Sequence, residues 1–468
     1  MRPVEAIKAS FPFEPTADQA KLFAKLDEFI LQKEEERQVF LLKGYAGTGK
    51  TTVVTSLVRI LNKFGYKYVL LAPTGRAAKV MSSYSNKPAF TIHKKIYRQT
   101  ANPYSEGLSF TRQPNKADNT FYIVDEASMI SDESGFGENG LLQDLLNYVF
   151  DKKSNKLLLI GDTAQLPPVN QAISPSLDAD YLKQNFRCKV QEIELRQVMR
   201  QAEESGILMN ATNLRNQLGK EQLAIQLTTK GWRDMYRMTG EKLEDGLRYA
   251  YDKFGIENSI VICRSNKSAN LYNQHIRRQI FFAEDEIGVG DYLMIVRNNY
   301  FWLPKDSDIG FMANGDFVEI TKIIRYEDMY NLRFADVRIR FVDYPEAEEQ
   351  EVKIMLDTLY TDAPALPADQ NKKLYEEVLQ DYMDIPNKRE RAKELKKNPY
   401  LNALQVKFAY ALTCHKAQGG QWKAVFVDQG FLKDDMVNDE FARWLYTALT
   451  RSSEELYLLN FSKQLLEN

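Results

Sequence analysis

The segment at residues 44–51, GYAGTGKT, constrains the fold more than any other part of the sequence. It follows the apolar run 39–42 and precedes a stretch with helical periodicity, residues 52–64. Such a loop lets backbone amides surround phosphate oxygens, and the helix that follows adds the positive end of its dipole. Lys50 is expected to reach the β- and γ-phosphates, and Thr51 to offer its hydroxyl to Mg²⁺. A glycine-rich turn that matched by chance would not need a strand before it and a helix after it. The sequence therefore predicts an α/β core that binds a nucleotide.

Polar residues follow two other apolar runs of the same region. Asp125 and Glu126 come directly after residues 121–124, and Gln165 comes shortly after residues 157–160. Asp125 is expected to hold Mg²⁺, partly through water, and Glu126 to orient and deprotonate an attacking water. Gln165 is placed where its amide could sense the γ-phosphate. Without the phosphate loop, the acidic pair would be interpreted as solvated loop carboxylates. With the loop, hydrolysis is favoured over nucleotide binding alone.

Bulk properties exclude some classes of protein. A chain of 468 residues is too long for one ordinary core, so two to four domains are expected. No run approaches the length that spans a bilayer, and no membrane role is expected. Three scattered cysteines, Cys188, Cys263 and Cys414, lack metal-ligand spacing and suit a reducing, cytoplasmic location. The net charge of −2 leaves a nucleic-acid partner open, because the charge of the local binding face decides that question.

Strand-like apolar runs occur in two sets with a different region between them. The first set lies at residues 39–42, 68–72, 121–124 and 157–160, and the second at 259–263, 406–412, 424–427 and 456–459. Their alternation with helical patterns predicts two α/β cores with parallel sheets. Between them, short β-type segments joined by polar turns suggest a small barrel, and residues 367–397 are charged and predicted to be helical. Residues 97–119, rich in Pro, Gly, Asn and Ser, interrupt the first core.

Further short segments, taken in order with those above, resemble one known family. They are APTGRAA at 72–78, TIH at 91–93, GDTAQLPP at 161–168, LRQVMRQ at 195–201, SNKS at 265–268, NGD at 314–316, TCHKAQGG at 413–420 and YTALTR at 446–451. The joint order resembles the superfamily 1B helicases, specifically the RecD-like and Dda-like branch, over nearly the whole chain. Each short segment is weak alone, whereas their order is specific.

The resemblance implies an α/β protein with two RecA-like parallel-sheet cores. The first core would occupy residues 1–205, with a β-hairpin insertion, the pin, at about 95–119. The second would combine residues 206–285 and 402–468. Residues 286–401 would form an SH3-like β-barrel insertion with a helical extension.

The resemblance also implies that ATP binds with Mg²⁺ between the two cores. Arg200 and Arg451 would act as arginine fingers beside the catalytic residues Lys50, Glu126 and Gln165. A guanidinium from a second domain stabilises transition-state charge only when the domains close, which links hydrolysis to motion. The expected nucleotide-binding residues are Gln19, Gly44, Ala46, Gly47, Thr48, Gly49, Lys50, Thr51, Thr52, Asp125 and Gly419, with Thr51 and Asp125 as metal ligands.

Without the resemblance, Gln19 and Arg200 would not be singled out. Gln19 would read the adenine edge, although an isolated glutamine there would be interpreted as a helix-surface residue. Met199 stands where many relatives outside this branch carry an aromatic residue that stacks on the base, so selectivity for adenine is less firmly indicated than hydrolysis. An isolated arginine such as Arg200 is usually a surface residue.

In the family, nucleic-acid contacts go mainly to phosphate and sugar groups, which carry no sequence information. The residues that match those positions are Thr74, Arg76, Thr91, His93, Phe110, Pro167, Thr413, His415 and Lys416. Phe110 falls where relatives place an aromatic on the pin, although a hairpin aromatic can also pack inside. A histidine such as His93 or His415 is more often a structural hydrogen-bonder than a ligand.

The sequence thus favours a monomeric motor acting on single-stranded DNA and on single-strand/duplex junctions. The SH3-like insertion is where protein partners would bind. Travel in the 5′-to-3′ direction is implied only by the resemblance. Three alternatives stay open: an RNA-directed helicase, the motor subunit of an exonuclease complex, and a non-motor interaction protein on an NTPase fold.

Overall fold

The computed structural model describes residues 1–33, 36–100, 109–133, 139–199, 204–304 and 311–467. Its first part contains eight strands: β1 Gln38–Gly44, β2 Lys67–Ala72, β3 Ala89–Thr91, β4 Tyr97–Thr100, β5 Ser109–Arg112, β6 Thr120–Val124, β7 Lys156–Gly161 and β8 Lys189–Leu195. Six of them form a parallel sheet in the order β3-β2-β6-β7-β1-β8. The four strands expected from apolar runs are β1, β2, β6 and β7, and this part of the prediction is confirmed.

Helices cover both faces of the first sheet. They are α1 Pro3–Ser10, α2 Ala17–Leu31, α3 Lys50–Leu61, α4 Gly75–Ser85, α5 Ile92–Ile96, α6 Leu141–Val149 and α7 Ala179–Phe186. The central strands are therefore buried on both sides; in β6 and β7 every residue is buried. Because β6, β7 and β1 are neighbours, the segments that follow these three strands meet at one edge of the sheet.

The pin is an antiparallel pair, β4 and β5, in which Tyr97 pairs with Arg112 and Thr100 with Ser109. Two contacts with the region of α6 hold its base: the Tyr97 hydroxyl donates to Asp144 at 2.7 Å, and Arg112 pairs with Asp151 at 2.7 Å. The tip of the pin, expected around residues 102–107, lies outside the described residues, as does the side chain of Phe110.

A second parallel sheet has the order β16-β10-β17-β18-β9. Its strands are β9 Met235–Met238, β10 Ser259–Cys263, β16 Ala411–Thr413, β17 Trp422–Asp428 and β18 Ser452–Leu459, and its helices are α8 Gly206–Arg215, α9 Leu243–Phe254, α10 Asn266–Gln279, α14 Cys414–Ala417 and α15 Asp439–Leu449. The expectation of two parallel-sheet cores is confirmed.

The expected barrel is a closed, five-stranded one. Its strands are β11 Tyr292–Ile295, β12 Phe317–Met329, β13 Leu332–Phe341, β14 Gln350–Met355 and β15 Leu404–Phe408, and helices α11 Asp357–Tyr360, α12 Ala368–Gln380 and α13 Lys388–Leu395 lie between its last two strands. The charged region 367–397 is therefore largely helical, as predicted.

One prediction about strands was wrong. The apolar run 406–412 was expected to form a single strand of the second core, but the structure divides it between β15 in the barrel and β16 in the second sheet. The side chain of Asn273 stabilises the break. Its Nδ2 donates to the carbonyls of Phe408 and Ala411 at 3.1 and 3.0 Å, and its Oδ1 accepts from the amides of Tyr410 and Ala411 at 3.0 and 2.8 Å.

Across the described ranges, no helix is long and apolar enough to cross a bilayer. The same residues contain no group of three His, Cys, Asp or Glu side chains that could hold a metal ion. Cys188, Cys263 and Cys414 are buried free thiols. Burial raises the pKa of Cys188 to about 11 and that of Cys414 to about 12, so these thiols are unreactive at neutral pH.

Candidate functional site

A cleft of about 920 Å³ lies where the carboxyl edge of the first sheet faces the second sheet. The phosphate loop, the acidic pair and α4 line one side, and residues 421–423 and 450–453 line the other. The predicted residues that line it are Ala46, Gly47, Gly49, Lys50, Thr51, Thr52, Asp125, Glu126, Gln165 and Arg451. Segments far apart in the sequence therefore meet in one cavity built by both sheets.

The phosphate loop has the backbone that its glycines allow. Gly47 and Gly49 have φ of +75° and +82°, the left-handed region that side-chain-bearing residues avoid. A Cβ on Gly49 would lie 2.7 Å from Nε2 of Gln19. Lys50 Nζ donates to the carbonyls of Gly44 and Tyr45 at 2.5 and 2.9 Å. These contacts place the ammonium group inside the loop.

Gln19 is fully buried and supports the loop from behind. Its Oε1 accepts from the amide of Thr16 at 3.0 Å, and its Nε2 donates to the carbonyl of Thr48 at 3.0 Å. The Thr48 hydroxyl in turn donates to the carbonyl of Tyr45 at 2.8 Å. Since the amide of Gln19 is engaged at both ends, its predicted contact with adenine stays a prediction.

Asp125 is held by two hydrogen bonds. Its Oδ2 accepts from the Tyr84 hydroxyl at 2.7 Å, and its Oδ1 accepts from the Glu126 amide at 2.8 Å. Burial, then the charge of Asp125, raises the pKa of Tyr84 well above its ordinary value, so the phenol stays a donor. Sequence reasoning missed Tyr84. The available signal was helical spacing, since Val80, Ser83 and Tyr84 on one face of α4 all line the cleft.

Glu126 faces the predicted arginine finger of the second sheet. Its Oε1 lies 3.8 Å from Nη1 of Arg451. Burial raises the pKa of Glu126, and the positive charge of Arg451 opposes that rise. The carbonyls of Thr447 and Gly420 accept from the guanidinium at 3.1 and 3.3 Å. Arg451 is therefore held in a fixed orientation, with only 4% of its side chain exposed.

The other predicted residues of the cleft differ in position. Gln165 lies in its wall, and the Oε1 of this residue is buried with no hydrogen-bond partner among the described residues. Gly419 lies instead against Ala77 and Thr74 at the contact between the two cores. Arg200 lies outside the residues that the structure describes, so its predicted role as a finger stays a prediction.

Two predicted nucleic-acid residues begin helices on the first core. Thr74 caps α4 by accepting from the amide of Ala77 at 3.2 Å, and Thr91 caps α5 by accepting from that of Lys94 at 3.1 Å. Thr91 and Lys94 also line a second cavity, of about 700 Å³, between the first core and the barrel. Burial lowers the pKa of His93 to about 4, so its imidazole is neutral at pH 7.

Arg76 makes contacts that the sequence did not indicate. Its guanidinium packs against the rings of Phe317 and Trp422, at 4.7 and 4.1 Å from their centroids, and donates to the carbonyl of Gln421 at 3.3 Å. The side chain thus joins the first core to the barrel and the second core. A contact of Arg76 with nucleic acid remains a prediction.

On the second core, Thr413 directly precedes α14, His415 is exposed, and Lys416 is half-buried. Burial lowers the pKa of Lys416 to about 8, which leaves it mostly protonated at pH 7. Pro167 lines a smaller cavity of about 290 Å³ beside the cleft.

Two known families match separate parts of the chain. A family described as an AAA domain matches residues 19–232, which contain the phosphate loop and the acidic pair. A family described as a UvrD-like helicase C-terminal domain matches residues 408–459, which contain Arg451. The phosphate loop and the acidic pair thus lie in one matched region, and Arg451, on the other side of the cleft, lies in the other.

Three relatives show how far the similarity extends. An uncharacterised protein of Acanthamoeba polyphaga mimivirus is 25% identical over an alignment of 503 positions, gaps included, which covers 92% of this chain and 97% of that protein. The ATP-dependent DNA helicase dda of Enterobacteria phage T4 is 28% identical over an alignment of 285 positions, gaps included, which covers 56% of this chain and 57% of that protein. The ATP-dependent RecD2 DNA helicase of Deinococcus radiodurans is 30% identical over 185 residues, or 40% of this chain and 23% of that protein.

Proposed function

We propose that this chain, which belongs to the superfamily 1B helicases of the RecD and Dda type, hydrolyses ATP to move along single-stranded DNA and to unwind duplex. The observation that carries the proposal is the contact across the cleft. Lys50, Asp125 and Glu126 come from the first sheet, and Arg451 of the second lies 3.8 Å from Glu126. Hydrolysis and relative movement of the two cores are then linked, because the site is complete only when the cores are together.

We assign tasks in this reaction to four residues that line the cleft. Lys50 binds the β- and γ-phosphates, Glu126 accepts the proton of the attacking water, and Arg451 stabilises the negative charge of the transition state. Gln165 has an unused buried acceptor and is suited to orient that water. Arg200 is assigned to the same task as Arg451 from the family pattern.

Thr51 and Asp125 fit a magnesium ion. Both line the cleft, and hydroxyl and carboxylate oxygens are ligands that Mg²⁺ prefers. When bound, the ion neutralises charge on the phosphate oxygens. The hydrogen bond from Tyr84 fixes the orientation of the Asp125 carboxylate, so that one oxygen can face the ion directly or through water.

The pH dependence of turnover should report on Glu126. This group must be deprotonated to act as a base, and its pKa is raised above the 4.5 of an ordinary glutamate, first by burial. As the pH falls through this raised pKa, kcat for ATP should fall. We expect the acid limb of a kcat-against-pH profile, measured with saturating single-stranded DNA, to lie above the range of an exposed glutamate. A limb at or below that range would contradict the assignment.

The pin is proposed to separate the two strands of a duplex. An aromatic that stacks on a base contributes about 1–3 kcal/mol, comparable with the roughly 1.4 kcal/mol of an average duplex step. Phe110→Ala should therefore reduce the unwinding rate about tenfold, while ATPase activity stimulated by single-stranded DNA changes less than twofold. Strand displacement and ATPase assays on the same preparation measure both activities.

The matched control for the pin is Phe282→Ala, because Phe282 is a 71% exposed aromatic in the second core, three residues after the end of α10. It should leave both activities unchanged. Equal loss of the two activities in Phe110→Ala, or loss of neither, would count against a strand-separating role.

Three measurements together test the proposed function. ATPase activity is measured with and without poly-dT or poly-U, and strand displacement is measured on 5′-tailed and 3′-tailed duplexes. We expect stimulation by poly-dT and displacement of 5′-tailed duplexes. Stimulation by poly-U alone would favour an RNA-directed helicase, and the absence of any turnover would favour a non-motor protein. Co-elution of the native protein with a nuclease in size-exclusion chromatography would favour the motor subunit of a nuclease complex.

A further inference from the structure

Tyr446 in α15 joins the two cores at the cleft. The side chain is 1% exposed, and its hydroxyl makes two hydrogen bonds to the first core. It accepts from the amide of Ala46 at 2.9 Å and donates to Oδ2 of Asp162 at 2.6 Å. Burial, then the charge of Asp162, raises the pKa of Tyr446 well above its ordinary value, so the hydroxyl keeps its proton.

The two partners of this hydroxyl belong to the two loops that carry the chemistry. Ala46 lies in the phosphate loop, four residues before Lys50. Asp162 begins the turn that carries Gln165: its Oδ1 accepts from the Ala164 amide at 2.9 Å, and its carbonyl from that of Gln165 at 3.3 Å. The hydroxyl therefore fixes the spacing between the loop that holds Lys50 and the turn that holds Gln165.

Other residues of the second core hold the same turn. Thr447 Oγ1 accepts from the amide of Leu166 at 2.9 Å, Gln418 donates to the carbonyl of Leu166 at 2.7 Å, and Arg443 donates to the carbonyl of Thr163. Tyr446 differs from them because it alone among these four also contacts the phosphate loop. A single group from the second core thus contacts both loops, which it can do only when the cores are together.

We propose that Tyr446 is a positioning residue for ATP hydrolysis, which sets the phosphate loop and the Gln165 turn in register when the cores close. The inference rests on the proposed function, since it assumes that the cleft hydrolyses ATP. Nucleotide can bind to the phosphate loop without this contact, whereas the aligned arrangement needed for turnover cannot form. Loss of the hydroxyl should therefore lower kcat and leave the KM for ATP nearly unchanged.

The test is Tyr446→Phe, which keeps the buried ring and removes only the hydroxyl. We expect kcat with saturating single-stranded DNA to fall about tenfold, the usual scale for losing a hydrogen bond to a charged group, and KM to change less than twofold. The rise in Tm caused by ADP with Mg²⁺ should match that of the unaltered chain.

The chain offers a closely matched control in Tyr410→Phe. Tyr410 is 2% exposed, and its hydroxyl accepts from the amide of Tyr292 at 3.1 Å and donates to Asp291 at 2.9 Å, away from the cleft. The two variants should lose similar thermal stability, but Tyr410→Phe should keep its kcat. An equal fall of kcat in both variants would mean a general loss of stability and would overturn the inference.

A double-mutant cycle of Tyr446→Phe with Asp162→Asn tests whether the Tyr446 hydroxyl acts through Asp162. If the hydroxyl acts through Asp162, the double variant should have a kcat close to that of the slower single variant, rather than the product of the two losses. Additive losses, or a raised KM with unchanged kcat in Tyr446→Phe, would overturn the inference while leaving the proposed function intact. Absence of ATP turnover in the unaltered chain would instead overturn the proposed function.

Discussion

Lys50→Ala should lower ATP turnover by about 10³-fold while leaving the binding of single-stranded DNA largely intact. The ammonium group lies inside the phosphate loop, on the carbonyls of Gly44 and Tyr45. No other cation among the described lining residues comes from that loop. The charge that develops on the transferred phosphoryl group would lose a positive partner. The measurement is kcat in the presence of poly-dT, with DNA affinity determined by fluorescence anisotropy.

Lys43→Ala is the control for this prediction. Lys43 lies in β1, the strand that leads into the phosphate loop, and it pairs with Glu192 at 2.6 Å beside the neighbouring cavity rather than in the cleft. It should retain turnover within about twofold, because a partly exposed ion pair of this kind contributes little. Turnover of Lys50→Ala above a tenth of that of the unaltered chain would contradict the assigned role.

Arg451→Ala should lower kcat by about 10³- to 10⁵-fold, the range found for arginine fingers. The guanidinium is fixed by carbonyl contacts and lies 3.8 Å from Glu126, so it can stabilise charge without first reorganising. Arg451→Lys keeps the positive charge but not the planar fork, and should recover only part of the rate. Both variants should still show the rise in Tm that ADP causes, since the phosphate loop is unchanged.

The control for the arginine prediction is Arg264→Ala. Arg264 also contacts α15, with its guanidinium 5.4 Å from the ring centroid of Phe441, but it does not line the cleft. Its loss should reduce stability modestly and leave kcat unchanged. If folded Arg451→Ala protein binds ADP and has a kcat within tenfold of the unaltered value, Arg451 is not an arginine finger.

Sequence reasoning located the first side of the site because its residues sit where strands end. Lys50, Asp125 and Gln165 follow β1, β6 and β7, and the fold brings these strands together, so position along the chain was sufficient to predict position in space. Arg451 was identified by the order of the family's segments, and the structure places it opposite Glu126.

Sequence reasoning missed two tyrosines within helices and one point where an apolar run divides into two strands. Tyr84 and Tyr446 are aromatic residues within amphipathic helices, and their hydroxyls reach Asp125, Ala46 and Asp162 only because of tertiary packing. A local pattern treats such residues as ordinary core. The division of the run 406–412 was equally hidden, because periodicity cannot distinguish one buried strand from two that belong to different sheets.

That division has a mechanical consequence. Only Ala409 and Tyr410 separate β15, the last strand of the barrel, from β16, an edge strand of the second sheet. The side-chain amide of Asn273 binds both sides of this division. So short a connection should restrict rotation of the barrel relative to the second sheet. If the cores move when the ATP cleft opens or closes, we expect the barrel and the second sheet to move as one body. A rotation of the second core would then displace the barrel residues farthest from this connection by more than the residues beside it.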